Sequence, residues 1–130
     1  MKVLALDYGS ARTGVAVSDP TGTLARPVCV VDRVGTESGL TSLVQVIERE
    51  APERIVVGMP VTLRGEHGEQ ARETERFVES LRATIDVPVE CFDERFTTSI
   101  ASRDGGAAAE DARAAAHLLS SYLEWSSARR

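Results

Sequence analysis

A chain of 130 residues, 42% hydrophobic and 27% charged, has the size and balance of one globular domain with a real core. No apolar run reaches the length that spans a bilayer, and the N-terminus carries no apolar stretch with a cleavage site, so neither a membrane segment nor a signal peptide is read. The formal net charge of -5 counts against a coat of non-specific nucleic-acid affinity, yet leaves room for a local acidic site beside a local basic rim. Cys29 and Cys91 fall in apparent strands without ligand-like neighbours and read as buried, reduced thiols, as in a cytoplasmic protein.

Lys2 to Asp7 is a nearly continuous apolar run, which suits a central strand covered on both faces. After a turn at Tyr8-Gly9-Ser10, Thr13 to Ser18 reads as a second strand, and the short gap predicts an antiparallel hairpin. A turn at Asp19-Pro20-Thr21-Gly22 leads to a third strand, Pro27 to Val31. The period then changes. Leu40, Leu43, Val44 and Ile47 share one face of a helix, with Thr36 as N-cap and Pro52 just past its end. Arg54 to Gly58 is a short buried strand, followed by a loop with Gly65 and Gly68. A second helix places Thr74, Phe77, Val78, Leu81 and Ile85 on one face. Val89 to Phe92 is the fifth strand, and the last helix runs from about Glu110 to Trp125 with Ala114, Ala115, Leu118, Leu119 and Tyr122 as its stripe. No repeat or linker interrupts this order, so one domain is read. The order β-β-β-α-β-α-β-α is the connectivity of the ribonuclease-H-like fold. That is an α/β fold with a five-stranded mixed sheet, helices on both faces, and strand one between strands two and four.

Three acids stand out. Asp7 ends the first strand, where ligands of open α/β sheets collect, although an Asp there can simply cap a turn. The two glycines Gly9 and Gly14 bracket a small, basic turn in which backbone can approach a phosphate. Glu94 lies in Asp93-Glu94-Arg95-Phe96-Thr97-Thr98, a string of carboxylates, a guanidinium and two hydroxyls that is otherwise a solvated charged turn. Asp111 shares a helix face with residues 114, 115, 118 and 122, so it begins the buried stripe unless it serves only as an N-cap or first-turn acid. Three carboxylates meeting at one sheet edge would repel each other without a cation. Mg2+ or Mn2+ relieves that repulsion, and two such ions roughly 3.5–4 Å apart can activate water and stabilise a leaving oxygen. Arg12, Arg64, Arg72, Arg95 and Arg103 are candidates for phosphate contacts, Arg12 and Arg95 first because they sit beside acids. The two histidines, His67 and His117, give no basis for a zinc site or a Ser-His-Asp triad, and no Lys-Ser or Lys-Thr follows Gly9 to Gly14 to make a Walker loop.

Four ordered strings carry a family resemblance. They are Leu4-Ala5-Leu6-Asp7-Tyr8-Gly9 with Arg12, Gly14, Ala16 and Ser18-Asp19; Ile55-Val56-Val57-Gly58-Met59-Pro60 with Gly65; Asp93 to Thr98; and Asp111 with Ala114-Ala115, Leu119 and Tyr122-Leu123. Together they span nearly the whole chain, and the sequence resembles the YqgF/RuvX family, named pre-16S ribosomal RNA nucleases or Holliday junction resolvase-like proteins. The resemblance implies acidic metal ligands at Asp7, Glu94 and Asp111, with Mg2+ or Mn2+. It also implies an RNase-H-like fold and a role in maturing ribosomal RNA, while the residues themselves suggest substrate contacts at Gly9, Arg12, Arg64, Arg95, Thr97 and Thr98. The implied partner is structured RNA or branched DNA, bound by a monomer or homodimer. A Holliday junction resolvase and a non-catalytic binding module are the other readings. One departure stands out: between Thr98 and Asp111 the family carries a longer, often basic segment, where this chain has only the Gly- and Ala-rich Ser99 to Glu110.

Overall fold

The computed structural model describes residues 1–60, 68–93 and 107–128. Five strands and three helices occur among them: β1 (Val3–Asp7), β2 (Arg12–Ser18), β3 (Ala25–Asp32), α1 (Glu37–Glu50), β4 (Arg54–Met59), α2 (Glu69–Thr84), β5 (Val89–Asp93) and α3 (Ala107–Ala128). The strands form one sheet in the order β3-β2-β1-β4-β5. β1 pairs antiparallel with β2 and parallel with β4, so the first strand is central, as its unbroken apolar run requires.

The two-residue strand period sorts side chains into two cores. Leu4, Leu6, Val15, Val17, Ile55 and Val57 pack with Leu43 and Ile47 of α1 and with Phe77, Val78 and Leu81 of α2. On the other face Val3, Ala5, Ala16, Val56 and Phe92 meet Ala115, Leu118, Leu119 and Tyr122 of α3. Small residues dominate that second face at β1 and β2, which lets the α3 backbone come close to the sheet. α1 starts where Thr36 Oγ1 accepts the Gly39 N–H at 3.1 Å, and it stops at Ala51, whose φ of 49° is left-handed, before the buried Pro52.

Several expectations need correction. α3 begins at Ala107 instead of near Glu110, so Asp111 is neither a cap nor a first-turn residue. Its buried stripe is Ala112, Ala115, Leu118, Leu119 and Tyr122, with Asp111 and Ala114 half-buried on the flank. β3 begins at Ala25, before Pro27. An edge strand tolerates the missing N–H, and the register slips there: Val15 faces Cys29 while Ala16 faces Pro27, leaving Val28 as the bulged residue. The cysteines are free but not both buried, Cys29 being half-buried and Cys91 exposed, because each lies on an edge strand that the helices cover incompletely. No helix among the described residues is long and apolar enough to cross a membrane.

Candidate functional site

The geometry of the site starts from alternation along β1. Val3 and Ala5 belong to the α3 core while Leu4 and Leu6 belong to the opposite one, so Asp7 emerges on the α3 face. Its cross-strand partner is Gly14. Gly14 lies on the same face as Ala16, and α3 passes directly over it: a Cβ at position 14 would stand 1.9 Å from the carbonyl oxygen of Asp111 and 2.5 Å from its carbonyl carbon. Paired cross-strand residues hold their Cα atoms about 4.5–5.5 Å apart. Asp7 and Asp111, 104 positions apart in the sequence (111 minus 7), are therefore both neighbours of Gly14 at one corner of the sheet.

Arg12 occupies the same corner. It precedes Gly14 by two residues on β2 and projects to the same face. Its Nε donates to Asp111 Oδ2 at 2.7 Å, with side chains 46% and 31% exposed. The guanidinium foreseen as a phosphate contact thus holds a carboxylate foreseen as a metal ligand.

The turn joining β1 to β2 closes on itself. A Cβ at Gly9 would meet the Arg12 carbonyl oxygen at 2.4 Å. The buried Thr13 hydroxyl donates to the Gly9 carbonyl at 3.3 Å and accepts the Gly9 N–H at 3.4 Å. Close approach of the chain to itself is what requires glycine at position 9. Tyr8 pins the turn to α2: its hydroxyl donates to the Glu73 carboxylate at 2.9 Å and its ring stacks on Phe77 at 4.7 Å. Burial, and then the Glu73 carboxylate, push the Tyr8 hydroxyl up to about 12.

A second anchor, unread in the sequence, fixes α3 at its other end. Tyr122 donates its hydroxyl to the Glu90 carboxylate and accepts from Arg54 Nη1 at 3.0 Å, while Arg54 Nη1 also reaches Glu90 Oε1 at 3.4 Å. The Tyr122 ring meets Phe92 edge-on at 5.6 Å. Residues from β4, β5 and α3 interlock here, and this sets how far along the sheet Asp111 sits. An aromatic ring with a polar tip at the end of an apolar stripe is the only sequence signal for it.

Of the other anticipated contacts, Arg72 pairs with Glu69 at 3.4 Å on α2. Glu94, Arg95, Thr97, Thr98, Arg64 and Arg103 lie outside the described residues. Among the described residues no three His, Cys, Asp or Glu side chains form a group able to hold a metal ion. The corner supplies two carboxylates, and an all-oxygen donor set fits a hard cation such as Mg2+ or Mn2+ better than a soft one.

A mixed sheet in this order, with an acidic corner at the carboxyl end of its central strand, is the ribonuclease-H-like architecture. Among solved structures, T. thermophilus RuvC in complex with Holliday junction substrate aligns with a TM-score of 0.61 at 19% identity, covering 97% of this chain and 96% of that one, a likeness of fold. The family model described as RuvX, Holliday junction resolvase, matches residues 1–125, and the chain belongs to this family. A relative in Chloroflexus aggregans, named "Putative pre-16S rRNA nuclease", is 40% identical over 101 residues, covering 78% of this chain and 71% of the relative. Another of the same name in Desulforamulus reducens is 35% identical over 133 residues, covering 95% of this chain and 97% of the relative.

Proposed function

We propose that this protein is a metal-dependent nuclease that hydrolyses phosphodiester bonds in the ribosomal RNA precursor, near the 5′ end of 16S rRNA, in the cytoplasm. The observation that carries this reading is that Asp7 and Asp111, distant in sequence, both border Gly14 at the carboxyl end of the central strand. Two acids placed beside one glycine suit cation binding better than packing, because like charges at close range oppose each other. Asp7, Asp111 and, from the sequence, Glu94 would hold Mg2+ or Mn2+. When bound, such ions supply an activated water and neutralise charge at the leaving oxygen. The chain's own part is to hold the carboxylates in place through the main chain, and to orient the phosphate with Arg12 and Arg95. Gly9, Arg64, Thr97 and Thr98 complete the proposed substrate contacts.

The names of the relatives and the net charge of -5 favour structured RNA. The description of the family favours branched DNA as the second reading, and a resolvase making two symmetric cuts would work as a homodimer where an RNA nuclease can act as a monomer. The test is cleavage with Mn2+ of a pre-16S RNA fragment and of a four-way DNA junction, by wild type and by Asp7→Asn. Cleavage of the RNA by wild type alone supports the reading. Cleavage of the junction alone supports the second. Equal cleavage by both proteins contradicts either.

A further inference from the structure

The contact between Arg12 and Asp111 bears on how metal and substrate enter the corner, provided that the corner is the nuclease site proposed above. We propose that Arg12 is the internal counter-ion of Asp111 in the metal-free protein, that a divalent cation competes with it for the same carboxylate, and that metal loading thereby releases the guanidinium to bind a substrate phosphate.

Three observations converge on it. Arg12 Nε and Asp111 Oδ2 are 2.7 Å apart, a charge-assisted hydrogen bond to an oxygen that a metal would use. The two partners are not equally fixed: the Asp111 backbone is wedged against Gly14, whereas the Arg12 side chain is 46% exposed and has room to swing away. Asp7 is the cross-strand partner of Gly14, the residue that the Asp111 main chain overlies, so a second acid borders the position of the Arg12–Asp111 pair.

The competition is a matter of charge. A cation of charge +2 seated between Asp7 and Asp111 would lie within a few Å of the guanidinium and repel it. A half-exposed ion pair in water is a weak contact and yields readily, whereas oxygen ligation of a divalent ion is stronger. The displaced guanidinium keeps its planar fork of donors, which matches a phosphate in two-point contact. Metal therefore binds before phosphate, and the nucleic acid meets its basic contact only at a loaded site.

Calorimetric titration of EDTA-stripped protein with Mn2+, without nucleic acid, tests this. Arg12→Gln is expected to bind Mn2+ about two- to fivefold more tightly than wild type, the range that loss of a half-exposed ion pair implies. Arg12→Lys, which keeps the charge on a flexible stem, is expected to return the affinity to near the wild-type value. Equal or weaker Mn2+ binding by Arg12→Gln overturns the proposal, since it would make Arg12 a residue that merely positions Asp111. Asp7→Asn is titrated alongside. If it binds Mn2+ as well as wild type does, the metal site itself is elsewhere and the proposed function falls together with this inference. If it loses binding while Arg12→Gln shows no gain, only the inference falls.

Discussion

The main chain of Asp111 rests on Gly14, with only 1.9 Å between its carbonyl oxygen and the place a Gly14 Cβ would take. Gly14 in turn is the cross-strand partner of Asp7. Backbone packing thus places Asp7 and the main chain of Asp111 on either side of the same glycine.

Gly14→Ala is expected to push α3 off β2. Overpacking of this kind costs about 1–3 kcal/mol, read as a lower urea midpoint at an unchanged slope. Mn2+ affinity should fall with it, because Asp111 moves away from Asp7. Gly35→Ala is the control, since a Cβ at Gly35 meets nothing within 4 Å. That change should stay within about 0.5 kcal/mol of wild type.

Tyr122→Phe removes the hydroxyl that joins α3 to both Glu90 and Arg54, at a residue only 2% exposed. Hydrogen bonds to charged groups contribute about 1.5–3 kcal/mol, and a loss in that range is expected in chemical denaturation. The Arg54–Glu90 pair survives the change. Mn2+ binding should therefore decline less than in Gly14→Ala, which disturbs the corner directly.

The chain has two tyrosines, and both hold their protons unusually tightly. Burial, then Glu73, raises Tyr8 from 10.0 to about 12. Burial, then Glu90, raises Tyr122. A folded-state pKa above the unfolded one means that the native protein binds more protons in this range. The stabilisation is complete below about pH 10 and is lost as pH rises through about 12. Absorbance at 295 nm should therefore show little tyrosinate at pH 10 in the native protein and a step on unfolding. Tyr8→Phe should flatten the alkaline fall in melting temperature.

At the acid end Asp19 behaves in the opposite sense. The Thr21 hydroxyl, followed by the Leu24 and Thr23 N–H groups, lowers its carboxyl from 3.8 to about 2. Its contribution is present above about pH 4 and is lost as pH falls toward 2. Asp19→Ala should make the melting temperature less sensitive to pH across that window.

The fold was legible because its central strands are buried on both faces and its helices carry one stripe each, so period alone separated them. The place of Asp7 at the end of the central strand was legible for the same reason, since it is the first charge after an apolar run. The start of α3 at Ala107 was not, because Gly105-Gly106 signals a loop and three alanines have no periodicity. The Arg12–Asp111 pair spans 99 residues, and no local pattern reports where two side chains of separate elements will touch. The same holds for Arg54, Glu90 and Tyr122, which arrive from three elements. The sequence points to Gly9 as a place where backbone can approach a phosphate, and does not report the close passage of the Arg12 carbonyl that also requires glycine there. Glu94 lies outside the described residues, so the third carboxylate rests on the sequence alone.

Whether Asp7 and Asp111 share a cation can be read from anomalous scattering by crystals grown with Mn2+. A peak is expected at the sheet corner, within coordination distance of carboxylate oxygens from both residues, with Glu94 beside it and Arg12 turned away from Asp111. A peak bound by other residues, or carboxylates of Asp7 and Asp111 too far apart to share an ion, would refute the shared site.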